Sequence, residues 1–198
     1  GQDFGIEDVE ESDVIETLKS IIEDTKPDTS SFYIFYDKLQ LVQSSRIPKY
    51  IEEADCKLTL YRNCRNTENI ATTSLAPITE RTPKLIDGCV KGAPAKLHFC
   101  ADEEAVQAKL NLLLDTLKGQ GVKDIIILTC KTETTSVLSG AVSNGVYRNK
   151  YRFSTCRKFK GLEADAVILV DVDSDTFTDN NILLYYVGTS RARLWLDI

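Results

Sequence analysis

The residues of this chain best suited to chemistry are cations placed beside backbone turns. Thr155-Cys156-Arg157-Lys158-Phe159-Lys160-Gly161-Leu162-Glu163 joins three cations, a glycine turn and a carboxylate, and Tyr186-Val187-Gly188-Thr189-Ser190-Arg191-Ala192-Arg193 ends in two guanidinium groups. Guanidinium groups stay protonated and donate hydrogen bonds in pairs, so they suit charge building up on a transferring phosphoryl group. Two earlier stretches have related character. Leu60-Tyr61-Arg62-Asn63-Cys64-Arg65-Asn66-Thr67 sets two arginines before a helix start, and Phe32-Tyr33-Ile34-Phe35-Tyr36-Asp37-Lys38-Leu39-Gln40 is an apolar run ending in Asp-x-x-Gln. Taken singly, each has an ordinary alternative: Arg62 and Arg65 flank the helix start, and Glu163 pairs with Lys160.

Charge is unevenly distributed. Residues 1–30 carry a local balance of −8 against −6 for the whole chain, so the remainder is slightly basic. Tyr147 to Lys160 holds Arg148, Lys150, Arg152, Arg157, Lys158 and Lys160 without a carboxylate, with Tyr147, Tyr151 and Phe153 interleaved. Two readings are open. Such a stretch suits a phosphate backbone with aromatic faces for bases or sugars; equally, it suits an edge strand kept soluble by alternating Arg and Lys.

In their order along the chain, the four stretches resemble motifs III, IV, V and VI of UvrD/Rep-like superfamily 1 helicases. The opening Gly1-Gln2-Asp3-Phe4 is similar to the tail of that family's Walker B motif, whose Asp-Glu pair would then precede residue 1. The resemblance implies the carboxy-terminal RecA-like domain of the helicase core. It implies that Arg65 and Arg191 reach the triphosphate, that Gln40 senses the γ-phosphate, and that Glu163 approaches the ribose. Gly161, Asp37 and Tyr61 fall on the same nucleotide side. Thr155, Arg157, Lys158, Lys160 and Arg152 fall along a single strand, DNA in preference to RNA. ATP and Mg2+ are implied as ligands whose site is completed by an amino-terminal RecA-like domain, since Gly-x-x-x-x-Gly-Lys-Ser/Thr does not occur here. Hydrolysis by the isolated chain is therefore not expected.

The sequence also departs from the family pattern. Cys64 stands where an aromatic residue is usual, which implies that adenine stacking weakens or passes to Tyr61 or another ring. Tyr36 replaces a glycine, Leu41 to Arg46 offers no Trp, and Arg157 stands where His is common. Two functions compete: the motor domain of an ATP-dependent helicase or translocase, and a helicase-like nucleotide-sensing or nucleic-acid-binding module fused to a nuclease or other domain. Upstream sequence separates them.

The elements that must position these residues read as alternating helix and strand. Val14, Ile15, Leu18, Ile21 and Ile22 repeat at helical spacing, giving an acidic linker helix within 1–30, with the RecA-like domain occupying 31–198. Strands are expected at 31–36, 56–60, 96–100, 124–129, 166–171 and 194–198, and helices at 67–76, 103–118 and 180–192. That alternation predicts an α/β fold with a mostly parallel sheet flanked by helices. Only 89 residues lie between Arg65 and Thr155, too few to add a large accessory subdomain to the core elements they contain. The stretch 77–95, with Pro77, Pro83, Pro94, Gly88 and Gly92, reads as a long connection.

With 42% apolar residues the 198-residue chain can bury a substantial core. No apolar run approaches a membrane span and no signal peptide stands out, so a cytoplasmic protein without a membrane partner is expected. Six cysteines occur without a Cys-x-x-Cys pair, and the single histidine is His98. Metal binding is not expected. The thiols are expected to be reduced and mostly buried.

Overall fold

Ile125-Ile126-Ile127-Leu128-Thr129 is apolar almost without interruption and lies wholly buried as strand β1, next to the middle of a sheet covered on both faces. The computed structural model describes residues 11–25, 31, 33–35, 49–144, 151–179 and 181–198. Gln40 and Asp37 fall outside the described residues, as do Tyr147, Arg148 and Lys150. The chain divides into two compact units, residues 1–38 with 43–59, and residues 39–42 with 60–198. In the first, helix α1 spans Glu11–Thr25 as its periodicity predicts, and a short α2 spans Lys49–Glu52. No strand forms among described residues 31 and 33–35 or at 56–60, where strands are expected from composition.

The second unit holds the sheet. β1 pairs with β2 (Arg152–Thr155) on one side and β3 (Ala164–Val170) on the other, and β4 (Ala192–Asp197) follows β3, giving the order β2-β1-β3-β4 with every pair parallel. Alternate residues feed two cores. Ile125, Ile127, Ala166 and Ile168 pack with Leu110, Leu114 and Leu117 of α4 (Glu103–Gly119) and with Ala141 and Val142 of α5 (Ser139–Ser143). Ile126, Leu128, Val167 and Leu169 pack with Ile70 of α3 (Glu68–Leu75) and Leu184 and Val187 of α6 (Ile182–Thr189). The expected parallel sheet with helices on both faces is therefore present. A 3-10 turn at Ser174–Phe177 joins β3 to α6.

Local signals explain the clearest boundaries. Asp102 caps α4 by accepting from the Ala105 amide at 2.8 Å, with Glu103 and Glu104 in the first turn, and Gly121 leaves the helix at a φ of 81°. Helix α6 is shorter than the expected 180–192 because Ala192 already begins β4, so the chain turns within Ser190-Arg191. Segment 96–100 forms only a bridge, yet it runs along β4: the Lys96 amide donates to Leu196 O (3.1 Å), the His98 amide to Ile198 O (2.6 Å) and the Ile198 amide to Lys96 O (2.8 Å). Only Cys130 and Cys156 are buried; Cys56 and Cys64 are exposed, which corrects the expectation of mostly buried thiols. Cys56 and Cys64 lie in irregular backbone that no core covers.

Burial, with Cys130 close by, pushes the Tyr185 hydroxyl up to about 12. Below pH ~10 folded and unfolded chains are both neutral at this tyrosine; from there to about 12 only the unfolded chain ionises, so stability falls as pH rises. Thermal melts across this window should show a shallower decline for Tyr185→Phe than for wild type. Parallel curves would remove Tyr185 as a source of the alkaline loss.

Candidate functional site

A polar turn builds the first wall of the site. Asn63 Oδ1 accepts from the Arg65 amide at 2.9 Å and the Asn66 amide at 3.1 Å, which projects the Arg65 side chain outward ahead of α3. Asn66 is buried, and its Nδ2 donates to Ser190 O (2.9 Å) and Ala192 O (2.7 Å), the carbonyls flanking Arg191. One amide side chain thus joins the 63–66 turn to the start of β4. Sequence reasoning missed Asn66; the polar residue in the run before α3 was visible, but its long-range partner was not.

The connection at 77–95 turns out to serve this wall. Its carbonyls meet the first amides of α3, Glu68 N to Val90 O at 3.0 Å and Asn69 N to Lys91 O at 3.1 Å, and Lys84 O accepts from Asn63 N at 2.7 Å. The donors left open at a helix start are therefore satisfied by backbone. Gly92 makes the approach possible: its φ is 74°, and a Cβ there would lie 2.5 Å from Thr67.

The second wall is the turn after β2. Phe159 is buried and anchors it, Phe159 N donates to Thr155 O at 3.0 Å, and Gly161 takes a φ of 88° that a side chain would strain. This brings Glu163 to the amino end of β3. Arg65 Nε lies 3.1 Å from Glu163 Oε2, and Arg193 Nη1 lies 3.4 Å from Glu163 Oε1. Arg193 also pairs with Asp165, which holds its guanidinium protonated still more firmly. Arg65 and Glu163 thus meet across turns nearly a hundred residues apart in sequence. Glu163 pairs with arginines and not with Lys160. Arg193, the second guanidinium of that stretch, completes the row.

Arg191 takes a different position from one pointing into an open cleft: it has no exposed surface. Its Nε donates to Val187 O (3.0 Å), Nη1 to Leu162 O (3.4 Å) and Nη2 to Ser190 Oγ (3.1 Å). The guanidinium ties the carboxyl end of α6 to the turn ahead of Glu163, and its planar fork suits carbonyls at several angles. Tyr61 is exposed, with Lys84 Nζ 5.4 Å from its ring centroid.

The basic stretch divides in two. Arg152 begins β2 and pairs with Asp124, whereas Arg157, Lys158 and Lys160 lie beyond its far end, about 10 Å along the strand. Lys158 Nζ sits 2.7 Å from Glu133 Oε1, and buried Thr155 turns its Oγ1 toward the Lys158 amide at 3.2 Å. Tyr151 and Phe153 pack against the core, Tyr151 with Lys118 Nζ 4.4 Å from its ring centroid. These two aromatics are packing groups, on the face that packs with α4. Stretch 152–155 is the edge strand of the second sequence reading.

At the carboxyl ends of β1 and β3, Asp171 adopts a φ of 62° and accepts from Thr129 Oγ1, Ser136 Oγ (2.6 Å) and the Val137 amide (2.9 Å). Lys131 Nζ pairs with Asp173 at 2.9 Å, which lowers the Asp173 carboxyl below its usual value. Among the described residues no three His, Cys, Asp or Glu side chains converge as a metal site, and no helix is long and apolar enough to cross a membrane.

Residues 150–198, which hold β2, the Gly161 turn, β3, α6 and β4, match the UvrD-like helicase C-terminal domain. Among solved structures, the chain is similar to the C-terminal domain of a possible DNA helicase from Lactobacillus plantarum WCFS1, at 18% identity and a TM-score of 0.53, covering 68% of this chain and 85% of that one. That likeness shows the fold. A search of curated proteins finds no match.

Proposed function

We propose that this chain, a UvrD-like helicase C-terminal domain by its residues 150–198 and its RecA-like fold, is the second motor domain of an ATP-dependent superfamily 1 helicase or translocase. The observation that carries the reading is the Arg65–Glu163 contact at 3.1 Å, which gathers two distant arginine- and carboxylate-bearing turns at one edge of the sheet. In the working protein that edge faces the triphosphate held by an amino-terminal RecA-like domain. Arg65 supplies charge to the γ-phosphate, Glu163 accepts from the ribose, and Tyr61 offers a ring face to the base. Arg191 joins α6 to the Gly161 turn, so that movement at the nucleotide is passed to it; direct contact of Arg191 with phosphate requires its side chain to leave the carbonyls it now holds. Gln40 and Asp37, outside the described residues, are assigned to the nucleotide by motif order alone. Mg2+, held by carboxylates of the upstream domain, neutralises phosphate charge.

Single-stranded nucleic acid, DNA in preference to RNA, runs past Thr155, Arg157, Lys158 and Lys160. Arg157 is exposed, while Glu133 partly offsets Lys158. In the full-length protein, Arg157→Gln should reduce the log–log salt slope of single-strand binding by about 0.7, and Lys158→Gln by less. Titration at several salt concentrations measures both. An unchanged slope for Arg157→Gln would place the strand elsewhere.

The reading as a whole is tested by phosphate release from the full-length protein with and without single-stranded DNA. ATP turnover stimulated by the strand is expected, with none from residues 1–198 alone. Turnover by this chain alone would show a complete nucleotide site within it, and no turnover by the full-length protein would favour a nucleotide-sensing or binding module.

A further inference from the structure

Two buried thiols lie outside everything described above. The register that sets Ile126 opposite Arg152 and Leu128 opposite Ser154 continues past the end of β2, because Cys156 N donates to Thr129 O at 3.0 Å. Cys130 therefore stands opposite Cys156 on the same sheet face, and both belong to the core formed with α6. Adjacent strands lie about 4.8 Å apart, inside the Cα separation of about 4.4–6.8 Å that a disulfide spans. The neighbouring Cys130 and burial push the Cys156 thiol well above its ordinary value. A lone buried cysteine is an inert apolar side chain. A facing pair is not.

We infer that Cys130 and Cys156 are a modification site, a dithiol that closes to an intramolecular disulfide across the carboxyl ends of β1 and β2 when a low-molecular-weight disulfide is present. Gly188 crowds the Cys156 thiol on the α6 side, where an added Cβ would lie 2.7 Å from its Sγ. Cys130, 8% exposed against 1% for Cys156, is the point of entry. Its thiolate attacks one sulfur of the small disulfide, forming a mixed disulfide and releasing one small thiolate. Cys156 then attacks the Cys130 sulfur, forming the Cys130–Cys156 bond and expelling the second small thiolate. Two protein thiols are oxidised, one small disulfide is reduced to two thiols, and the two cysteine protons end on them. The bridge ties the end of β1 to the turn that carries Glu163.

Incubating the purified chain with oxidised glutathione, quenching in acid, alkylating under denaturing conditions and mapping peptides by mass spectrometry tests this. The expected result is a peptide pair joined through Cys130 and Cys156, neither alkylated, while exposed Cys56 and Cys64 in the same sample carry glutathione and show that the oxidant acted. In Cys156→Ser, Cys130 should instead end as a glutathione adduct. Cys130 and Cys156 both alkylated beside glutathionylated Cys56 and Cys64, or joined to other cysteines in the wild type, would overturn the assignment.

Discussion

Arg191→Ala should lower the melting temperature of this chain by about 10 °C, the largest loss of stability expected from any single polar side chain in it. Removing the guanidinium strands the inward-facing Leu162 O, leaves Val187 O to the Ser190 hydroxyl at 3.3 Å, and opens a cavity where a long side chain was wholly enclosed. Unsatisfied buried groups and cavities of this kind together cost about 3–5 kcal/mol, and a chain of this size loses a few degrees for each. Arg191→Lys should fall between, because an ammonium delivers charge without a fork. Circular dichroism melts measure both; a fall below about 2 °C for the alanine variant would mean that the hydrogen bonds seen here contribute little. In the full-length protein the same substitution is expected to cost roughly 10³-fold in ATP turnover where Arg191 leaves these carbonyls for the phosphate, and less where it stays on them. That figure is read only on protein shown to be folded at the assay temperature.

The contrast between Arg191 and Arg65 shows what was legible in the sequence and what was not. β1, β3 and α4 were legible because burial on both faces or on one helical face leaves a periodic trace, as in Ile125 to Leu128 and in Leu110, Leu114 and Leu117. The parallel order followed from alternation. β2 was hidden because this four-residue edge strand, with one exposed arginine, shows no apolar run. Segment 96–100 looked like a strand and pairs with β4 through three hydrogen bonds, but without forming a ladder. Motif spelling gave the identity of Arg65, Glu163 and Arg191 without their depth. Depth depends on partners such as Leu162 O and Asn66, which only the folded chain brings near. The aromatics among the cations misled for the same reason: Tyr151 and Phe153 are spaced to face the core, and spacing by two does not say which face is wet.

Arg65→Ala in the full-length protein should cost about 10³-fold in ATP turnover while leaving the melting temperature within about 2 °C of wild type. The Arg65 side chain is 40% exposed and that of its partner Glu163 is 43% exposed. An ion pair this open to water contributes at most about 1 kcal/mol, so it holds the arginine in place yet lets it go to a stronger anion. A triphosphate is such an anion, and a bidentate guanidinium contact to it strengthens as charge moves onto the γ-phosphate. Arg65→Lys should therefore recover only part of the loss. Asn66→Ala supplies the internal control, because it removes the hydrogen bonds to Ser190 O and Ala192 O that fix the turn and should lower stability and turnover together. Steady-state phosphate release beside thermal melts on the same preparations separates the cases. Turnover of Arg65→Ala within about threefold of wild type, on folded protein, would mean that this edge of the sheet does not meet the γ-phosphate.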